Sequence, residues 1–71
     1  MKFEDKVKVI SGFYKGLNGV VLEERVNMGL AGEWFVNYLV KLTAINSIGE
    51  EYYFEKWIFE DLLKIVNEEI K

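Results

Sequence analysis

The chain contains no cysteine, no histidine and no proline. Without cysteine there is no disulfide, thiol nucleophile, zinc ribbon or iron–sulfur site. Without histidine there is no imidazole metal centre, no Ser–His pair and no imidazole pH switch. General acid–base work would fall to Glu, Asp, Lys or Tyr. The hydroxyl nucleophiles available are Ser11, Thr43 and Ser47, and no activating motif surrounds them. No calcium-type loop of alternating oxygen ligands is present. The expectation is a non-enzymatic protein with no cofactor and no metal. Long apolar runs are also missing. None is long enough to span a bilayer, and the opening MKFEDKVKV has no apolar stretch behind its charge. Neither a membrane partner nor a signal peptide is expected, and the expected location is cytoplasmic.

What is present is dense apolar material in a short chain. The 71 residues allow one small domain, residues 1–71, and 51% are hydrophobic, too many for a disordered chain. Ordering a chain of this length costs on the order of 100 kcal/mol of conformational entropy, so burial has to be efficient. Eleven residues are aromatic (five Phe, four Tyr, two Trp), more than a core of this size is expected to hide. Charge is uneven. Nine basic residues face twelve acidic ones for a net −3, yet residues 1–16 are locally +2 and residues 50–71 locally −4. Overall acidity argues against broad, sequence-blind nucleic-acid binding.

Residues 5–11 read as a first strand, with Lys6 and Lys8 alternating with Val7 and Val9. Glycines 12, 16 and 19 then mark a folded-back loop, and Asn18-Gly19 is expected to supply left-handed backbone angles. Residues 20–26 form the second strand. The consecutive Val20, Val21 and Leu22 break its alternation and predict a bulge. Residues 27–33 are a loop. Residues 34–43 are the clearest strand, with Trp34, Val36, Tyr38, Val40 and Leu42 on one face. Asn46, Ser47 and Gly49 make a turn, and residues 50–58 an aromatic fourth strand. The end of the chain has two readings. Phe59, Leu62, Leu63, Val66 and Ile70 have helical spacing, which fits a helix over about residues 56–69. The competing reading is a one-turn 3₁₀ segment at residues 59–62 and a short closing strand at 63–66.

The stretch EDKVKVISGFYKGLNGVVLE, residues 4–23, resembles the KOW motif, with Val7, Val9, Gly12, Gly16, Gly19 and Val21 at the matching positions. The resemblance covers about a third of the chain and implies a mainly β, small five-stranded SH3-like barrel. It favours the closing strand over the C-terminal helix, and the closing strand is the reading adopted. Stand-alone barrels of this kind occur among small bacterial and phage proteins. KOW units contact RNA, polymerase or ribosomal partners. Glu4 stands where the motif often has glycine, Val20 stands where a polar residue is usual, and the loop carries no basic cluster.

Phe13, Tyr14 and Lys15 in the glycine loop are the first contact candidates, because an aromatic beside a lysine can stack on a base and neutralise a phosphate. The alternative is that Phe13 tucks under the loop as an anchor while Tyr14 shields it. The second candidate patch is Tyr52, Tyr53 and Trp57, with Trp34 as a further candidate. Alternation puts Tyr52 and Phe54 on one face and Tyr53 on the other. Tyr53 is therefore either exposed or covered by residues 59–70. Three functions compete. The first is protein–protein binding as an adaptor or inhibitor. The second is KOW-type RNA or ribonucleoprotein binding through residues 12–16. The third is an acidic, phage-type inhibitor that imitates nucleic acid with Glu50, Glu51, Glu60 and Asp61. Oligomeric state is left open.

Overall fold

A computed structural model describes residues 1–66. Five strands follow one another: β1 (Lys6–Val9), β2 (Asn18–Met28), β3 (Trp34–Ile45), β4 (Glu51–Phe59) and β5 (Leu63–Ile65). A single 3₁₀ turn, Glu60–Leu62, joins β4 to β5. The fold is thus mainly β, and the closing-strand reading describes the chain end as far as Val66. The helix over 56–69 is corrected for its described part: residues 56–59 belong to β4, and β5 pairs with β1. Its residues 67–69 lie outside the described residues. Tertiary pairing outweighed helical spacing here, as expected for a segment too short to be helical alone.

All pairings are antiparallel, in the order β4-β3-β2-β1-β5. The sheet is not closed, because β4 and β5 are its two edges. The expected barrel is therefore not present as a closed cylinder. All three residues of β5 pair with β1, and among the described residues no ladder joins β5 to β4. Along the open edge of β4, Lys56 shares the core face with its register partner Val40, a charge that discourages pairing with another chain.

Curling brings the apolar faces together. Val7, Val9, Val21, Tyr38, Val40, Leu42, Ile58 and Leu63 form one buried cluster. The alternation read in β1 and β3 holds, since Val7 and Val9 are buried, as are Tyr38, Val40 and Leu42. The predicted bulge is also present. Val21 pairs with Val40 and Glu23 with Leu39, leaving Leu22 as the extra residue.

The glycine loop folds back on β1. The Gly16 amide donates to the Val9 carbonyl at 2.8 Å, and the Val9 amide donates to Leu17 at 2.9 Å. Gly12 and Gly16 hold φ of +91° and +96°, where a side chain would be strained. The expectation for Asn18-Gly19 is corrected. Both residues lie in β2, paired with Thr43 and Leu42, and neither has a positive φ. Glycine is needed at 19 for close approach: an added Cβ would stand 2.5 Å from Val40 Cγ1 and 2.8 Å from the Lys41 carbonyl.

Glu4 has φ of +69°, the one non-glycine residue with positive φ among those described. Its amide donates to the Val21 carbonyl at 2.6 Å, which fixes the turn into β1. A left-handed side chain costs about 1–2 kcal/mol, and glycine carries an entropic penalty of about 0.5–1 kcal/mol. Glu4→Gly is therefore expected to stabilise the fold by about 0.5–1 kcal/mol in urea titrations. A loss of stability would contradict this backbone geometry.

Candidate functional site

Eight of the eleven aromatic rings are exposed, which shifts attention from filling the core to forming a surface. The candidates do not form one patch. The register divides them between the two faces of the sheet.

On the core side, the glycine loop lays its rings beside β4. Phe13 meets Tyr14 edge-on with centroids 5.0 Å apart. Tyr14 meets Phe54 at 5.6 Å, and Phe54 stacks with Tyr52 at 5.9 Å. A row of four rings results, ordered Phe13, Tyr14, Phe54, Tyr52. Its middle is anchored, because Tyr14 and Phe54 pack against the buried cluster. Its ends are open: Phe13 is 93% exposed and Tyr52 is also exposed. The anchor reading for Phe13 is thereby reversed, since Tyr14 is the ring that tucks in. Lys15 is exposed beside them. Next to the row lies a cleft of about 200 Å³, bordered by Val9, Phe13, Tyr14, Ile58 and Leu62.

Tyr53 and Trp57 belong to the opposite, outer face, opposite Thr43 and Leu39 of β3. Each ring carries a cation. Arg25 Cζ lies 4.3 Å from the Trp57 ring centroid, and Lys41 Nζ lies 5.0 Å from that of Tyr53. Trp57 also borders the cleft beside Phe13. Tyr53 is exposed, so residues 59–66 do not cover it. The rest of that covering alternative, residues 67–70, lies outside the described residues. Trp34 stands apart, paired with Met28 at the far end of the β2–β3 hairpin.

Sequence reasoning left Phe54 out of the site and grouped Tyr52 with Tyr53 and Trp57, which lie on the other face. The alternation of Tyr52 and Phe54 was visible, but their distance from residues 13 and 14 in the chain hid the contact. The acidic candidates are exposed, with Glu50 and Glu51 at one end of β4 and Glu60 and Asp61 at the other. The length of β4 separates them by about 27 Å. Among the described residues, no group of three or more carboxylates gathers to hold a metal ion.

Compared with protein families, characterised proteins and solved structures, the chain matches none.

Proposed function

We propose that the chain is a non-enzymatic binding module that receives an extended segment of a partner protein along the Phe13–Tyr14–Phe54–Tyr52 row. The observation that carries this reading is the row itself. Two rings are held by the core and two stand open, so the surface is rigid before binding and little ordering entropy is spent on contact. Aromatic rows beside a cleft suit extended peptides. The sheet order, the 3₁₀ turn before β5 and the doubled-back loop are consistent with a KOW-like, SH3-like ancestry.

Selection of the chain against a library of extended peptides tests the reading. Phe13→Ala is expected to weaken enriched peptides by about 30-fold, the mark of a central aromatic contact. Because Phe13 is almost wholly exposed, stability should change by no more than about 0.5 kcal/mol. No enrichment, or peptides indifferent to Phe13→Ala and Tyr14→Ala, would refute it.

A second reading, KOW-type RNA or ribonucleoprotein binding by residues 12–16, draws support from Glu4. Its φ of +69° is the backbone conformation that the motif's usual glycine adopts readily. This reading requires Lys15→Glu and Tyr14→Ala to weaken RNA binding at low salt.

A further inference from the structure

We propose that the outer face of the sheet, opposite the aromatic row, binds single-stranded nucleic acid through its phosphates, with Lys8 and Lys64 as the central pair. Register builds this face. Lys64 pairs with Lys8, Lys8 with Asn18, Asn18 with Thr43, and Thr43 with Tyr53. One cross-strand row therefore runs over all five strands, about 19 Å at ordinary strand spacing. Burial alternation sets its side: Val7, Val9 and Leu63 point to the core, and Lys8 and Lys64 point away.

Two features of this row call for an anion. Lys8 and Lys64 stand directly opposite each other, an arrangement of like charges that weakens strand pairing. Among the described residues neither has a carboxylate within ion-pair distance. The row also presents two ammonium groups, an amide and a hydroxyl, side chains that commonly contact phosphate oxygens. The Tyr53 hydroxyl at its end is taken, donating to Glu51 Oε1 at 3.4 Å, so Tyr53 offers its ring alone. A shallow depression of about 210 Å³, bordered by Lys6, Asn18, Val20 and Thr43, lies along the middle of the row and gives a phosphate room there.

Tyr53 separates the two polyanions that such a row could attract. Its exposed ring ends the row with Lys41 against it, so a base can stack there. Stacking on that ring is a contact that a base makes and an acidic side chain does not. The acidity of the whole chain keeps affinity low and confines binding to this face. Glu55, the register partner of Lys41, limits how much that lysine adds, so the count rests on Lys8 and Lys64.

Fluorescence anisotropy with a labelled oligouridylate of roughly 12 nucleotides tests the proposal. Binding at about 20 mM salt should fall with a log–log slope near about −1.4, two phosphates' worth. Lys8→Gln and Lys64→Gln should each weaken binding on the order of tenfold and bring the slope to about −0.7. Both variants should melt no lower than the parent, and higher by up to a few degrees, because the opposed charges are relieved. Phe13→Ala and Lys15→Gln should leave oligouridylate binding unchanged, which separates this face from the loop and from the peptide site. Three results would overturn the proposal. They are no binding at low salt, affinity insensitive to Lys8→Gln and Lys64→Gln, or tighter binding of an oligoglutamate of equal length.

Discussion

Gly19→Ala is expected to remove about 3 kcal/mol of stability, at the upper end of what overpacking costs. The added methyl would stand 2.5 Å from Val40 Cγ1, 2.8 Å from the Lys41 carbonyl oxygen and 3.0 Å from Leu42 Cδ2. Val40 and Leu42 are fully buried and cannot swing away, and the carbonyl belongs to the β3 backbone. Relief therefore requires β2 and β3 to separate where β1 also pairs with β2, as Val7 faces Gly19. A domain of this length holds about 4–10 kcal/mol in total, so a large share of the folded state's margin would be lost. Gly16→Ala is the control. Nothing lies within 4 Å of its added Cβ, so only its φ of +96° penalises the change, by about 1–2 kcal/mol. Urea unfolding of the two variants should rank Gly19→Ala well below Gly16→Ala. Equal midpoints would disprove the tight β2–β3 approach.

Tyr38→Ala carries a comparable or larger penalty, about 3–5 kcal/mol, because it empties the space of the largest fully buried side chain. Tyr38→Phe keeps the ring and loses the hydroxyl's two hydrogen bonds, the one it donates to Glu24 Oε2 at 3.2 Å and the one it accepts from the Met1 ammonium at 3.3 Å, each worth about 0.5–1.5 kcal/mol. The pair also differs in its response to alkali. Burial pushes the Tyr38 hydroxyl above its ordinary value of 10.0, and Glu24, as hydrogen-bond acceptor and as negative charge, adds to the rise, with a smaller push from Glu60. Below pH 10 the hydroxyl is protonated in both folded and unfolded chains, and its contribution is fully present. As pH climbs past 10.0 the unfolded chain releases the proton first, so stability falls until the folded hydroxyl ionises as well. Denaturation followed from neutral pH upward should show this loss in the parent and a shallower decline in Tyr38→Phe. Identical alkaline slopes would mean that another group governs the transition.

Much of the strand plan was legible because its cause is local. Val7 and Val9 between lysines, and Tyr38, Val40 and Leu42 at period two, declare their buried side wherever the strand is placed. Three apolar residues in a row at 20–22 announced the bulge for the same reason. The chain end was ambiguous because helical spacing and a short strand produce similar apolar patterns there. Only pairing of Leu63–Ile65 with β1 separates them. At Gly19 the residue type was legible as special but its reason was not. A positive φ is a property of the local backbone, whereas close approach belongs to a neighbour more than twenty residues away.

By itself, the sequence determined the absence of thiol and imidazole chemistry, the positions of the strands and the surplus of aromatic rings. Tertiary structure alone decided which side of the sheet each candidate occupies. Period-two alternation assigns side chains to two faces but does not name the face that will be covered. That depends on register across strands distant in the chain. The folded-back loop set Tyr14 against Phe54, while register sent Tyr53 and Trp57 to the other side under Lys41 and Arg25 and left Lys8 opposite Lys64.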